Sequence, residues 1–438
     1  MRRLVVLTLL VTLFVPSISK AAGDDPARLI AMMDQGGLAR RQAFWFSYQS
    51  KQFYLLRRAA TYFFESNDYE DHRMLLRIME LLGPSLDTHL PGWYDILDRY
   101  MNPAVPDDIL IRCMKLGVRF KEHRLVFAMT RMMEHPIYEV RMAAIESLVA
   151  MENDLVVPVL LRYLKCDDPV LILYGLQGAK VLGDTRFFAF VRDLLEHQNK
   201  SVRIYALRAI ANIQGNGDTS YLITGRFSRE TNPEVRRTII QLIGSRKMSG
   251  QQYTVSRALH DSSPLVREAA YQTAAELRSS FFAREVSQRL NVETDTEMRK
   301  AGVLSLDTIR IDDSVAALSR LLLNDESIEI RCLAARAIGR LNDRSQNKAL
   351  LSAVIHDNNK QVQKEAAVAL LTTTDFNIVQ PISDLILKND VDLELRFLLF
   401  RAIEKNGSID VLNQLKNRSA SIQDPALRNV ILHSMKGQ

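Results

Sequence analysis

Between Asp325 and Leu370 the apolar residues fall on one helical face, break off, and return in the same order. Ile330, Ala334, Ala337 and Ile338 stand at positions 0, +4, +7 and +8, the face of a helix with 3.6 residues per turn. Gly339 and the polar run Asn342–Gln346 end that helix, and Ala349, Leu350, Val354 and Ile355 predict a second. At Val362 the first pattern resumes with Ala366, Ala369 and Leu370. Helix-opening anchors recur at Val140, Tyr174, Val202, Val235, Val266, Met298, Ile330, Val362, Leu395 and Leu427, in steps of 28 to 34 residues. Tyr174 is preferred to Val170 as the second anchor because it brings Val181, Leu182 and Gly183 into phase with Ala337, Ile338 and Gly339. A period in this range marks stacked supersecondary units, each too small to bury its own apolar face. With two helices per unit, the expected fold is all-α, an α-solenoid of about ten to eleven helix pairs over residues 111–438.

Polar residues share the register. An arginine follows the anchor as Arg141, Arg203, Arg236, Arg267, Arg299, Arg331, Arg396 and Arg428, while Gln363 takes its place in one unit and the Val170–Gly183 unit lacks it. Six residues before the arginine position stand Glu230, Asp261, Glu293, Asp325, Asp357 and Asp390. The spacing puts each carboxylate in the turn ahead of a helix, close to the unpaired N–H groups of the helix start. Arg236, Asp261, Arg267, Arg299, Asp325, Arg331, Asp390 and Arg396 are therefore expected to form a structural ladder, each arginine reaching carboxylates of its own and the neighbouring unit.

Two stretches follow the pattern Asp-x-x-x-x-Val-Arg-x-x-Ala-x-x-Ala-Leu: residues 261–275, through Asp261, Val266, Arg267 and Ala270, and DESIEIRCLAARAIG at 325–339. That pattern resembles the HEAT-repeat family, especially its short bacterial, lyase-type form, and the resemblance covers roughly residues 110–438. It implies that the Arg-bearing helices line the concave side of the array. Outward positions there fall two and six residues beyond each anchor. They give a candidate partner-binding face of Arg208, Arg237, Gln241, Gln272, Leu304, Arg336, Val368, Phe397 and Arg401. Its mildly basic, partly apolar mixture suits an extended protein segment; a solvated face without a partner is the alternative.

Ahead of the repeats, residues 22–110 predict an irregular helical cap. Thirteen of the chain's 32 aromatic residues lie between residues 40 and 100. Two uses remain open for them: closing the first exposed apolar face of the array, or anchoring a partner through Trp45, Tyr48, Trp93 and Tyr94. Residues 1–21 read as a signal peptide, with basic Arg2 and Arg3, apolar Leu4–Ile18, and cleavage near Ala21. The apolar core is shorter than the ~20 residues of a membrane span, and no later segment is long enough to cross. The expected address is the periplasm or otherwise outside the cytoplasm.

Charge and chemistry narrow the function. Loss of the leader takes Arg2, Arg3 and Lys20 from the 57 basic residues, so 54 face 51 acidic and the net charge of +6 falls to +3. That balance and export both argue against nucleic acid. Cys113, Cys166 and Cys332 are too widely spaced for a disulfide framework and are expected as free thiols. There is no HExxH, GxSxG or phosphate-binding loop, and Gly215 and Gly217 read as an inter-helix turn. Iron-binding HEAT-like hydroxylases use His-Glu pairs, whereas here the order is reversed at Glu122-His123, Glu134-His135 and Glu196-His197. The histidines of the last two stand where other units carry the turn acid. No cofactor, metal or catalytic residue is expected. The sequence thus predicts a non-enzymatic, exported scaffold or adaptor that binds one or more proteins in the cell envelope. The alternatives are a cofactor-binding or lyase-type enzyme using the concave groove, and a structural part of a larger motility or secretion assembly.

Overall fold

A computed structural model describes residues 25–66, 68–213, 219–248, 250–341, 347–371, 378–406 and 409–434. The expected leader at 1–21, Gly215 and Gly217, and the run Asn342–Gln346 lie outside these residues. The described chain is all-helical, with no strand among those residues. It divides into two compact units between Phe190 and Val191.

In the first unit, α1 (Pro26–Gln35), α2 (Gly37–Gln49), α3 (Phe53–Glu65) and α4 (Tyr69–Leu82) are followed by α5 (Trp93–Tyr100), α6 (Asp107–Arg119) and α7 (Val126–Met132). Then come α8 (Tyr138–Ala150), α9 (Val157–Leu164) and α10 (Pro169–Leu182). Alternate helices pack together: α2 on α4, α4 on α6, α6 on α8 and α8 on α10. This stacking of alternate helices therefore already runs through the aromatic-rich region, where the Phe44 and Phe63 rings meet edge to face with centroids 4.6 Å apart.

After α11 (Phe188–Leu194), which contains the division, the second unit runs through α12 (Lys200–Ile210), α13 (Ser220–Phe227), α14 (Pro233–Ser245) and α15 (Gln252–Leu259). It continues with α16 (Pro264–Leu277), α17 (Ser280–Leu290), α18 (Thr296–Ile309) and α19 (Val315–Asn324). Next are α20 (Ile328–Leu341), α21 (Asn347–His356), α22 (Lys360–Leu370) and α23 (Val379–Leu387). The last helices are α24 (Leu393–Asn406), α25 (Ile409–Arg418) and α26 (Pro425–His433). The helices α12, α14, α16, α18, α20, α22, α24 and α26, all Arg-bearing except α22 with its Gln363, stack in sequence as one layer. Their companions form the other, with α15 on α17, α17 on α19 and α19 on α21.

Local sequence explains the pieces. Proline at the first helical position preorganises α14, α16 and α26, and Asn199, Asn232, Asp295, Asn359 and Asp424 cap the N–H groups at the starts of α12, α14, α18, α22 and α26. The predicted inner faces are buried: Val266, Ala270, Thr273 and Ala274 on α16, and Ile330, Ala334, Ala337 and Ile338 on α20. Truncating a large residue of this core to alanine costs about 2–5 kcal/mol. Small residues set how closely helices within a layer approach. A Cβ on Gly339 would lie 2.8 Å from Ala369 Cβ and 2.9 Å from its Cα, so α20 and α22 meet almost backbone to backbone there.

Candidate binding faces

The ladder forms five consecutive rungs in the second unit. Each arginine uses Nε and Nη2 on one carboxylate: Arg203 on Glu230 (2.9 and 2.9 Å), Arg236 on Asp261 (2.8 and 2.8 Å), Arg267 on Glu293 (3.0 and 3.1 Å), Arg299 on Asp325 (2.8 and 3.2 Å) and Arg331 on Asp357 (2.7 and 3.1 Å). The acid always belongs to the following turn. In its own turn the arginine donates from Nη1 to backbone carbonyls, as Arg267 does to Asp261 O and Ser262 O. The expectation that an arginine also reaches its own unit's acid is thereby corrected. That acid accepts the N–H two residues on, as Asp261 does from Ser263, and is held by the arginine before it. One guanidinium thus fastens two successive turns through bidentate, charge-assisted bonds. His135 and His197 fill the acid's place in two turns, where Nδ1 accepts from the Ile137 and Asn199 N–H groups.

These pairs are sheltered. The side chains of Arg299 and Asp325 are 9% and 3% exposed, against 49% for Arg336 on the open face. Burial works against the charge on Glu230, but Arg203, the Asn232 N–H and Arg226 together hold its carboxyl below the usual range. Beyond Asp357 the ladder stops. Gln363 keeps the carbonyl contact, donating to Asp357 O, but carries no guanidinium for a following acid. Asp390 and Arg396, expected as a rung, are not joined; Arg396 donates to Ile386 O (2.8 Å) and Asn389 Oδ1 (3.4 Å). Burial lowers the Arg396 pKa, opposed by the charges of Asp424 and Asp390.

Along the Arg-bearing layer, Arg208, Gln272, Leu304, Arg336, Val368 and Arg401 are exposed, whereas Arg237, Gln241 and Phe397 are half-buried. Apart from Gln241, the positions six beyond each anchor thus form the open row, and those two beyond lie in the seams between helices. Lys300 pairs with Glu329 and Lys364 with Glu394 in the seams, and Arg336 of the row with Glu365, so these charges tie neighbouring helices together. Arg336 also holds the Glu365 carboxyl below its usual range.

The four N-terminal aromatics do not share one environment. Trp93 is 3% exposed; its indole N–H donates to Asp87 Oδ1 (2.7 Å) and its ring meets Phe120 edge to face. It is core, not an open anchor. Trp45, Tyr48 and Tyr94 are half-buried, and the Arg124 guanidinium lies 3.2 Å above the Tyr94 ring. Among the described residues no group of three or more His, Cys, Asp or Glu is arranged to hold a metal ion. Cys113, Cys166 and Cys332 are free thiols, and burial raises the pKa of Cys113 and Cys332. No helix among the described residues is long and apolar enough to cross a membrane.

A further row, on the companion helices, lies outside the faces that the apolar spacing predicts. Tyr221, Tyr253 and Phe281 are each the second residue of their helix and are 65%, 74% and 42% exposed. Their spacings of 32 and 28 residues carry the repeat period, which is the signal the sequence holds for them.

HEAT repeats match the sequence at residues 222–307, 283–371 and 315–392. No curated protein matches it. Among solved structures, a chain from the Kap95p complex with RanGDP superposes with a TM-score of 0.52 at 12% identity, over 95% of this chain and 66% of that one. This chain thus spans just under two thirds of that neighbour's length. Importin beta gives 0.48 at 11% identity, over 94% of this chain and 70% of its own. At such identities the likeness concerns the fold alone.

Proposed function

From a chain whose residues 222–392 are HEAT repeats, we propose an exported scaffold or adaptor that holds proteins in the cell envelope and has no catalytic role. The observation that carries this reading is the open row Arg208, Gln272, Leu304, Arg336, Val368 and Arg401, repeated in register on stacked helices. Such a row offers an extended polar surface with apolar insertions, where a small molecule would require an enclosed apolar pocket. The fold neighbour Kap95p binds another protein, RanGDP. Export rests on the leader at 1–21 and is tested by cell fractionation and N-terminal sequencing, which should find a mature chain beginning near Ala22.

The face is tested with Arg208→Ala combined with Arg401→Ala. Both residues are exposed, and neither is a rung of the buried ladder. Arg336 is left intact because it neutralises Glu365. The double variant should keep its helicity and lose its partner in pull-downs from envelope extract. An unchanged partner set would remove this face from the account.

A further inference from the structure

The companion layer carries a second surface of different chemistry. The Gln251 amide at the start of α15 donates to Ser220 Oγ at the start of α13 (3.5 Å), so the helix starts that carry Tyr221 and Tyr253 meet there. Ser256 on α15 is hydrogen-bonded to Glu285 on α17, the helix that bears Phe281. The Arg257 guanidinium lies 5.9 Å from both the Tyr253 and Phe227 ring centroids and donates to Ser228 Oγ (2.7 Å). Beside it is a polar cleft of about 630 Å³, lined in part by Phe227, Arg236, Arg257, His260 and Glu285. On α13, α15 and α17 themselves, Arg226, Arg257, Arg284 and Arg289 stand against a single acid, Glu285. Exposed Arg246, Arg257 and Arg278 form no ion pair among the described residues. Arg246 lies in the turn into α15 and Arg278 in the turn into α17, at the ends where the aromatic rings stand.

We infer that α13, α15 and α17 form a docking surface for an acidic, aromatic-bearing extended protein segment, its rings against Tyr221, Tyr253 and Phe281 and its carboxylates on the adjacent arginines. The exposed arginines Arg246, Arg257 and Arg278 beside the rings select an acidic partner, and exposed aromatic rings at repeat spacing favour one with rings of its own. This rests on the scaffold reading but places a second contact on the opposite layer.

The test uses the full-length chain and a fluorescein-labelled random Glu/Tyr copolymer, followed by fluorescence anisotropy against polyglutamate and polyuridylate of similar length. The copolymer should bind at least about tenfold more tightly than polyglutamate, because stacking adds to charge. Tyr221→Ser with Tyr253→Ser should abolish that preference, and Arg257→Gln should weaken both polymers; circular dichroism should show all variants folded. Equal binding of copolymer and polyglutamate, an unaffected serine variant, or tighter binding of polyuridylate would each overturn the inference. If the copolymer test fails while the envelope partner still depends on Arg208 and Arg401, only this surface is lost. If neither face retains a partner, the scaffold reading fails with it.

Discussion

Replacing Arg299 with methionine isolates one rung of the ladder. Arg299 is 8% exposed, donates to both Asp325 oxygens, and reaches Thr294 O at 2.8 Å and Glu326 Oε1 at 3.1 Å. Methionine fills much of the same space but leaves the buried Asp325 carboxylate with only the Ser327 N–H at 2.9 Å. Removing one partner of a buried pair costs about 3–5 kcal/mol, well above the roughly 0–1 kcal/mol of an exposed pair. Neither side chain is open enough for solvent to screen that loss away. Asp325→Asn alone should cost about 1–3 kcal/mol, since the guanidinium then keeps a carboxylate only at the exposed Glu326. The double variant should fall short of the summed losses by about 2 kcal/mol, because the second change relieves the charge stranded by the first. Long repeat arrays unfold in parts, so the readout should be native-state hydrogen exchange of amides in α18 and α20. Arg299→Met should speed exchange there by roughly two to three orders of magnitude. Additivity within about 0.5 kcal/mol would show the rung to be two independent contacts and refute the reasoning.

Three further outcomes follow from the same geometry. Gly339→Ala should cost about 1–3 kcal/mol because the Ala369 backbone cannot yield, while Gly225→Ala, with nothing within 4 Å, should stabilise α13 by about 0.5–1 kcal/mol; urea unfolding compares them. The Glu230 carboxyl is held below its usual pKa, so its stabilisation is present above pH ~4.3 and lost as pH falls through the lowered folded value. Glu230→Gln should therefore destabilise at neutral pH, and its gap from the parent chain should close in acid, as measured by urea unfolding at several pH values. Gln363→Arg should supply the missing guanidinium toward Asp390 and slow exchange at the start of α24 by an amount worth about 0.5–1.5 kcal/mol.

The period and the buried helix faces are open to reading because each unit repeats one spacing, and Val266, Ile330 and Val362 are all buried where that spacing puts them. The connectivity of the ladder is less accessible. A separation of six residues pairs Asp261 with Arg267 along the chain, but stacking brings Asp261 to Arg236, 25 residues earlier. Hydrophobic pattern alone does not encode that choice, because it depends on how far one turn overhangs the next. The aromatic count likewise does not separate Trp93, enclosed against Phe120, from Trp45, half open to solvent. On the companion layer the apolar period marks the buried residues, and the polar-face positions of Tyr221 and Tyr253 fall outside it.

The most direct test of the scaffold account is mild crosslinking in the native envelope, followed by purification of the mature chain, mass spectrometry and metal analysis of the same sample. The account predicts a stoichiometric protein partner crosslinked to lysines beside the open row, such as Lys300 or Lys364, and lost in the Arg208→Ala/Arg401→Ala variant. A chain recovered alone, carrying a metal ion or a chromophore, would contradict it.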